Sequence, residues 1–329
     1  MSALSENSPA GGTTQLRSNG STPPAGGSPA AVRPTRRRRL TGSGWWPLLF
    51  VGPMGVGLLI FYVWPIVRTV MNSFQDVSAF GNTEWTGLDN YTRVLTDVEI
   101  PRAFGNTLLY TCVVLMGIPI AVLVASLINR PGMRLSRFYR VMFFMPYLAM
   151  PVAITLTWRI MFNSNHGMIN YLLGLVGIQG PVWLASYPQS MFAVSMLGLW
   201  SSFGFAIIIL TAGLKAIPAE LYEASSLDGA GSLRQFFSIT VPLLTPSIFL
   251  LTVMTAIGSF QLFDQLYAMM DKGNPALQKS KSLVYLFYEA AFVQNQRGYA
   301  AVLALLILLV IALITFLQFR LQKRWVNYV

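Results

Sequence analysis

The stretch Ile217-Pro-Ala-Glu-Leu-Tyr-Glu-Ala-Ser-Ser-Leu-Asp-Gly-Ala-Gly231, followed by Ile239-Thr-Val-Pro242, sets three carboxylates among small residues with no base or nucleophile beside them. Its chemistry is therefore recognition rather than bond making. Pro218 can open a helix, Glu220 and Glu223 favour the positive N-terminal end of one, and Gly229 and Gly231 let the chain turn sharply afterwards. Leu221, Ala224 and Ser225 fall at i, i+3 and i+4, a small-residue face that can enter a partner's groove while Glu223 and Asp228 make polar contacts at its rim. An amphipathic loop resting on a membrane surface has the same pattern, and on physics alone both readings stay open. A second set of polar residues lies in apolar sequence. Thr252, Thr255 and Ser259, at i, i+3 and i+7 and flanked by Phe260 and Gln261, form a polar stripe suited to a polar solute or to helix–helix hydrogen bonds. Trp200, Ser201 and Ser202 beside Gly204 suit a solute path or a close-packing patch. Arg159 can attract an anion or snorkel to water.

Several chemistries are excluded by what is missing. No Gly-x-x-x-x-Gly-Lys-[Ser/Thr] loop occurs, so the chain does not hydrolyse ATP through such a loop, and no His-Glu-x-x-His or paired-Asp motif supports an intramembrane enzyme. One histidine, His166, and one cysteine, Cys112, make neither a disulfide nor a typical structural zinc site, so no metal is expected. The net charge of +11 lacks the soluble basic recognition fold that nucleic acid would need.

The elements that position these residues are membrane spans. The chain is 54% hydrophobic and only 11% charged, roughly half the charged share of an average soluble domain. Apolar runs of about 20 residues, the length that crosses the hydrocarbon core, fall at 46–67, 107–128, 141–162, 190–213, 241–263 and 299–319. The third, holding Pro146 and Pro151, is the least regular. Residues 1–44 are rich in Ser, Gly, Pro and Thr and hold Arg33 and Arg36 to Arg39, which reads as a disordered cytoplasmic tail ahead of a transmembrane domain over 45–329. The basic and apolar order of a cleavable leader is absent from the first 30 residues.

Charge sets the orientation. Arg130, Arg134, Arg137 and Arg140 stand without an acid between spans two and three, and Arg320, Lys323 and Arg324 follow span six. By contrast, the loop after span one carries Asp76, Glu84, Asp89, Asp97 and Glu99 against Arg68, Arg93 and Arg102, and residues 163–189 carry no Lys, Arg, Asp or Glu. The positive-inside rule puts both termini in the cytoplasm of a multi-pass protein of the cytoplasmic membrane. An ion-coupled secondary carrier would need ionisable groups at mid-span, and apart from edge residues such as Arg159 and Asp264 the spans have none.

The loop over 217–242 resembles that of binding-protein-dependent ABC importer permeases, whose pattern is Glu-Ala-Ala, three residues, Gly, nine residues, Ile, any residue, Leu-Pro. Glu223, Ala224, Gly229, Ile239 and Pro242 match; Ser225 stands for the third Ala and Val241 for Leu. Trp85-Thr-Gly-Leu-Asp-Asn-Tyr91, Asn106-Thr107, Met145-Pro-Tyr147, Gly167-Met-Ile-Asn170, Trp200 and Gly258-Ser-Phe-Gln-Leu-Phe-Asp264 are similar to the carbohydrate branch (maltose, lactose and glycerol-phosphate type), over roughly 45–329. Gly273-Asn-Pro275 resembles the Gly-Gly-Pro of the first permease in such systems. The resemblance implies an all-α, six-span type I ABC importer permease fold with a cytoplasmic coupling helix. It implies partners: a second permease, a dimer of ATPase subunits that binds ATP and Mg, and an extracytoplasmic solute-binding protein. Coupling would fall to Glu223, Ala224, Ser225, Asp228, Gly229, Ile239 and Pro242, and the path of a sugar-like solute to Tyr147, Trp200, Ser202, Thr255, Ser259 and Gln261. Glycerol-3-phosphate or another polyol is the alternative cargo.

Overall fold

The computed structural model describes residues 46–77, 83–130 and 132–326, with the expected tail over 1–44 outside them. The described residues from 56 onward form one compact unit, and those before it, 46–55, are helical. Helix α1, Trp46–Leu58, continues through a π-helical turn, Leu59–Val63, into α2, Trp64–Ser73. A short antiparallel ribbon, β1 (Gln75–Val77) and β2 (Thr83–Trp85), leads to α3 (Asp89–Thr96), α4 (Glu99–Leu115), α5 (Gly117–Ile128), α6 (Ser136–Leu148), α7 (Pro151–Met161) and α8 (Met168–Leu175). Then come α9 (Gln189–Lys215), α10 (Ala219–Leu227), α11 (Ser232–Gln235) with a π-helical turn at Phe236–Thr240, and α12 (Val241–Phe260). Three short helices, α13 (Asp264–Met269), α14 (Pro275–Ser280) and α15 (Leu283–Tyr288), precede a third π-helical turn, Glu289–Val293, and α16, Arg297–Trp325.

Among the described residues five helical rods are long and apolar enough to cross a membrane: Leu49–Ser73, Glu99–Ile128, Gln189–Lys215, Ser232–Phe260 and Arg297–Arg324. The third expected span, 141–162, is broken. Its halves, α6 and α7, meet at 98°, because Ala149 and Met150 are extended (ψ 149° and 123°) ahead of Pro151, whose ring disfavours helical geometry in the residue before it. The rods also outrun the apolar windows. The second begins at Glu99 rather than 107, since helical hydrogen bonding continues into the polar interface where hydropathy no longer marks it.

Prolines explain two further irregularities. Pro119 has no N–H for the Leu115 carbonyl, and the second rod divides into α4 and α5 there. Pro65 and Pro242 each follow a π-helical turn by two residues, the widened turn easing the ring past the preceding carbonyls.

Helix α9 packs on α4, α5, α6 and α12 and forms the centre of the unit over 56–329. Its small residues admit these neighbours closely, as Gly, Ala and Ser do between membrane helices. A Cβ on Gly198 would collide with the Tyr110 ring of α4, and one on Gly204 would lie 2.8 Å from the Phe143 carbonyl and 3.0 Å from Tyr147 Cβ of α6. The apolar residues of α5, α9 and α12 close one core; Tyr110, Phe162 and Met191, with α13 and α14, close another.

Polar clamps join the segments that link the rods. Phe74 stacks on Trp85 (5.6 Å) and Asn90 Nδ2 donates to the Ser73 and Gln75 carbonyls at 3.2 and 3.0 Å, so the Trp85–Tyr91 motif grips the end of α2. Buried Asn106 donates to the carbonyls of Lys279 and Lys281 at 2.7 and 2.9 Å, while Thr107 Oγ1 accepts the Leu283 N–H at 3.2 Å. Lys281, 7% exposed, meets Glu289 at 2.7 Å and Glu99 at 3.5 Å. Asn274 caps α14 by accepting from Ala276 N and donates to the Leu184 carbonyl at 2.7 Å, two bonds that a glycine at that position has no side chain to make.

Candidate functional site

The element read from 217–231 forms as a helix, a sharp turn and a return into span five. Pro218 is the residue before the first turn of α10, with ψ 134°, and Glu220 sits in that first turn. The helix ends in a Schellman motif: the Ala230 N–H donates to the Ser225 carbonyl at 2.9 Å and the Gly229 N–H to the Ser226 carbonyl at 3.1 Å. Gly229 holds φ +76°, the left-handed geometry the motif needs and glycine supplies without strain. Asp228, at the C-cap, is exposed, as are Glu223 and Ala224. Ile239 is half-buried in the π-helical turn and Pro242 stands in the first turn of α12, so the far end of the motif is the foot of span five.

The face that α10 offers outward differs in one member from the expected one. Leu221 and Ala224 are exposed, whereas Ser225 is half-buried and turned towards Gln235. Leu227, 91% exposed, continues the face by one more i+3 step. The i+3 spacing from Leu221 through Ala224 is the signal in the sequence that points to it. Tyr222, Gln235 and Thr240 also went unread. Tyr222 lies on the opposite side of α10 from Ala224, and its hydroxyl is 3.0 Å from Thr240 Oγ1.

The residues expected along a solute path are spread over three helices. Tyr147, 52% exposed, lies in the last turn of α6 and stacks between Phe144 (5.6 Å) and Phe205 (5.4 Å). Trp200, 38% exposed, meets Trp158 of α7 at 5.4 Å, so the two aromatic groups flank the bend between α6 and α7. Ser202 donates to the Leu199 carbonyl at 2.7 Å and lies near Gly117 of α5. On α12, Thr255 is half-buried, Ser259 is 4% exposed and Gln261 is exposed just beyond the helix. Thr252 donates back to the Ile248 carbonyl at 2.8 Å. Arg159 pairs with Asp271, which ties α7 to the segment after α13. His166 borders a hollow of about 1020 Å³ with Asn170 and Tyr171, and none of the six path residues lines it. Among the described residues no group of His, Cys, Asp or Glu is arranged to hold a metal ion.

Residues 92–327 match the family described as binding-protein-dependent transport system inner membrane component. Over 287 residues the chain is 34% identical to a Bacillus subtilis (strain 168) protein named probable ABC transporter permease protein YesP, covering 85% of this chain and 91% of that one. It is 33% identical to the sn-glycerol-3-phosphate transport system permease protein UgpA of Agrobacterium fabrum (strain C58 / ATCC 33970), covering 86% and 96%. A crystal structure of a bacterial ABC transporter involved in the import of the acidic polysaccharide alginate superposes with a TM-score of 0.75 at 19% identity, over 86% of this chain and 96% of that one. The same kind of transporter in complex with an alginate pentasaccharide-bound periplasmic protein gives 0.73, also at 19%. At that identity the two structures speak to the fold.

Proposed function

The chain belongs to the family of binding-protein-dependent transport system inner membrane components, and from that premise we propose that it is the first permease of a heterodimer that imports a sugar or sugar derivative. The observation that carries this reading is α10: an exposed helix closed by a Schellman turn and joined directly to the foot of a membrane-spanning rod. Such an element receives a push from below and delivers it to the spans. ATP and Mg are bound by a separate pair of ATPase chains, against which Leu221, Glu223, Ala224, Leu227 and Asp228 dock. A binding protein delivers solute from the opposite face, and closure of the ATPase pair switches the spans from outward-open to inward-open. Arg130, Arg134, Arg137 and Lys215 are exposed near the inner rod ends, with no Asp or Glu between 101 and 219. This asymmetry supports cytoplasmic termini.

Two observations bear on cargo. The paired aromatic faces at Tyr147 and Trp200 suit a sugar ring, and Arg159 is engaged by Asp271 rather than held open for an anion. A second reading, glycerol-3-phosphate, is favoured by the names of several relatives. Titrating the partner binding protein with sugars, glycerol-3-phosphate, peptides and metal ions separates them. Sugar binding is expected; glycerol-3-phosphate alone selects the second reading, and peptides or metals alone overturn both. In the purified complex, Glu223→Lys is expected to lose the ATPase chains, and a variant that keeps them and stays coupled contradicts the docking assignment.

A further inference from the structure

The outward face of α10 explains how a partner could dock, but not how a helix that buries none of its side chains transmits force. With no apolar anchor, α10 can follow or ignore the span above it according to its polar ties. Two such ties cross from α10 to the stem of span five. Gln235 Nε2, on the last residue of α11, donates to Ser225 Oγ and Ser226 Oγ, both at 2.9 Å, and reaches the Tyr222 carbonyl at 3.3 Å. Five residues further on, buried Thr240 ends the π-helical turn and meets the Tyr222 hydroxyl at 3.0 Å.

The donors and acceptors are matched. Ser225 and Ser226 spend their own hydroxyl protons on the Tyr222 carbonyl, at 3.3 and 2.8 Å, which turns their lone pairs outward to the Gln235 amide. The third position of the Glu-Ala-Ala pattern would have no such oxygen, so Ser225 and Gln235 form a pair in this chain. Beside them lies a hollow of about 180 Å³ lined by Ser225, Asp228, Arg234, Gln235 and Ser238 among others. Atoms facing a hollow lack packing partners on that side, so the hydrogen bonds rather than close packing hold the two segments in register.

We propose that Gln235 is a positioning residue that latches the coupling helix to span five. It acts through Ser225 and Ser226, with the Tyr222–Thr240 contact as a second bolt. Displacement of α10 then moves the π-helical turn and α12 together instead of being absorbed at the Gly229 turn. The proposal rests on the reading of α10 as the docking element, and its test separates the two.

In the complete complex with both permeases, ATPase chains and binding protein, Gln235→Leu removes the donors at similar volume. The expected result is wild-type recovery of the ATPase chains with about tenfold more ATP hydrolysed per solute moved, the loss of about two net hydrogen bonds. Tyr222→Phe, which deletes only one hydroxyl, is expected to raise that ratio about threefold. Ser225→Ala with Ser226→Ala should raise it as Gln235→Leu does, and the triple variant should add little more, since the bonds are shared. A wild-type ratio in both Gln235→Leu and Tyr222→Phe overturns the latch even if Glu223→Lys still releases the ATPase chains. Tight coupling with Glu223→Lys overturns the docking reading instead. Should Gln235→Leu fail to assemble, the Tyr222→Phe ratio decides alone.

Discussion

Gly229 sits at φ +76° with open space around the position a Cβ would take, so a side chain there meets no clash and only the backbone objects. For most L residues the left-handed region costs about 1–2 kcal/mol. Gly229→Ala should therefore weaken solute-stimulated ATP hydrolysis by several fold, and Gly229→Asn, better suited to this geometry, by less. Gly229→Pro cannot adopt a positive φ and loses the N–H that the Ser226 carbonyl accepts, so it should abolish stimulation. A fully stimulated Gly229→Pro complex would contradict the assignment of this turn. Gly229 was legible because its spacing from Glu223 and Ile239 is fixed along the chain. Gln235 was not: it meets Ser225 across a reversal of direction, and no periodicity records a contact made that way. Lys281 was equally silent, since nothing near it in sequence says that Glu99 and Glu289 converge on its ammonium.

Among the elements, α9 carries the architecture, and the closeness of its neighbours depends on residues without side chains. A Cβ at Gly204 would press on the Phe143 carbonyl and on Tyr147. Gly204→Val should push α6 away and cost about 1–3 kcal/mol, the usual range for overpacking. The check is a lower unfolding midpoint of the purified complex in detergent, together with reduced uptake; an unchanged midpoint would mean that α6 and α9 are not packed this tightly. Sequence placed Gly204 in a possible close-packing patch, and hydropathy found every rod, because 20 apolar residues in succession have few other homes. It also marked span three as irregular through Pro146 and Pro151. It could not supply the 98° angle, which depends on α6 packing against α9 and α7 against α13. The three short helices between 264 and 288 were missed as well. They are held by tertiary bonds such as those of Asn106 and Asn274 rather than by any apolar period of their own.

For the whole molecule the consequence is a division of labour. The described residues supply rods, a bent pair beside aromatic faces, and an exposed helix latched to the foot of span five. Arg130, Arg134, Arg137 and Lys215 lie on the side of the rods that bears α10, and residues 76–99 carry five acids. A charge bias of this kind orients a multi-pass chain in its membrane. The most direct measurement is uptake into proteoliposomes holding the full complex, with the binding protein and labelled solute outside and ATP with Mg inside, the side the account assigns to α10. The account predicts accumulation that needs internal ATP and both partner proteins and is lost with Glu223→Lys. Accumulation driven by a proton or sodium gradient in the absence of ATP and the ATPase chains would contradict it.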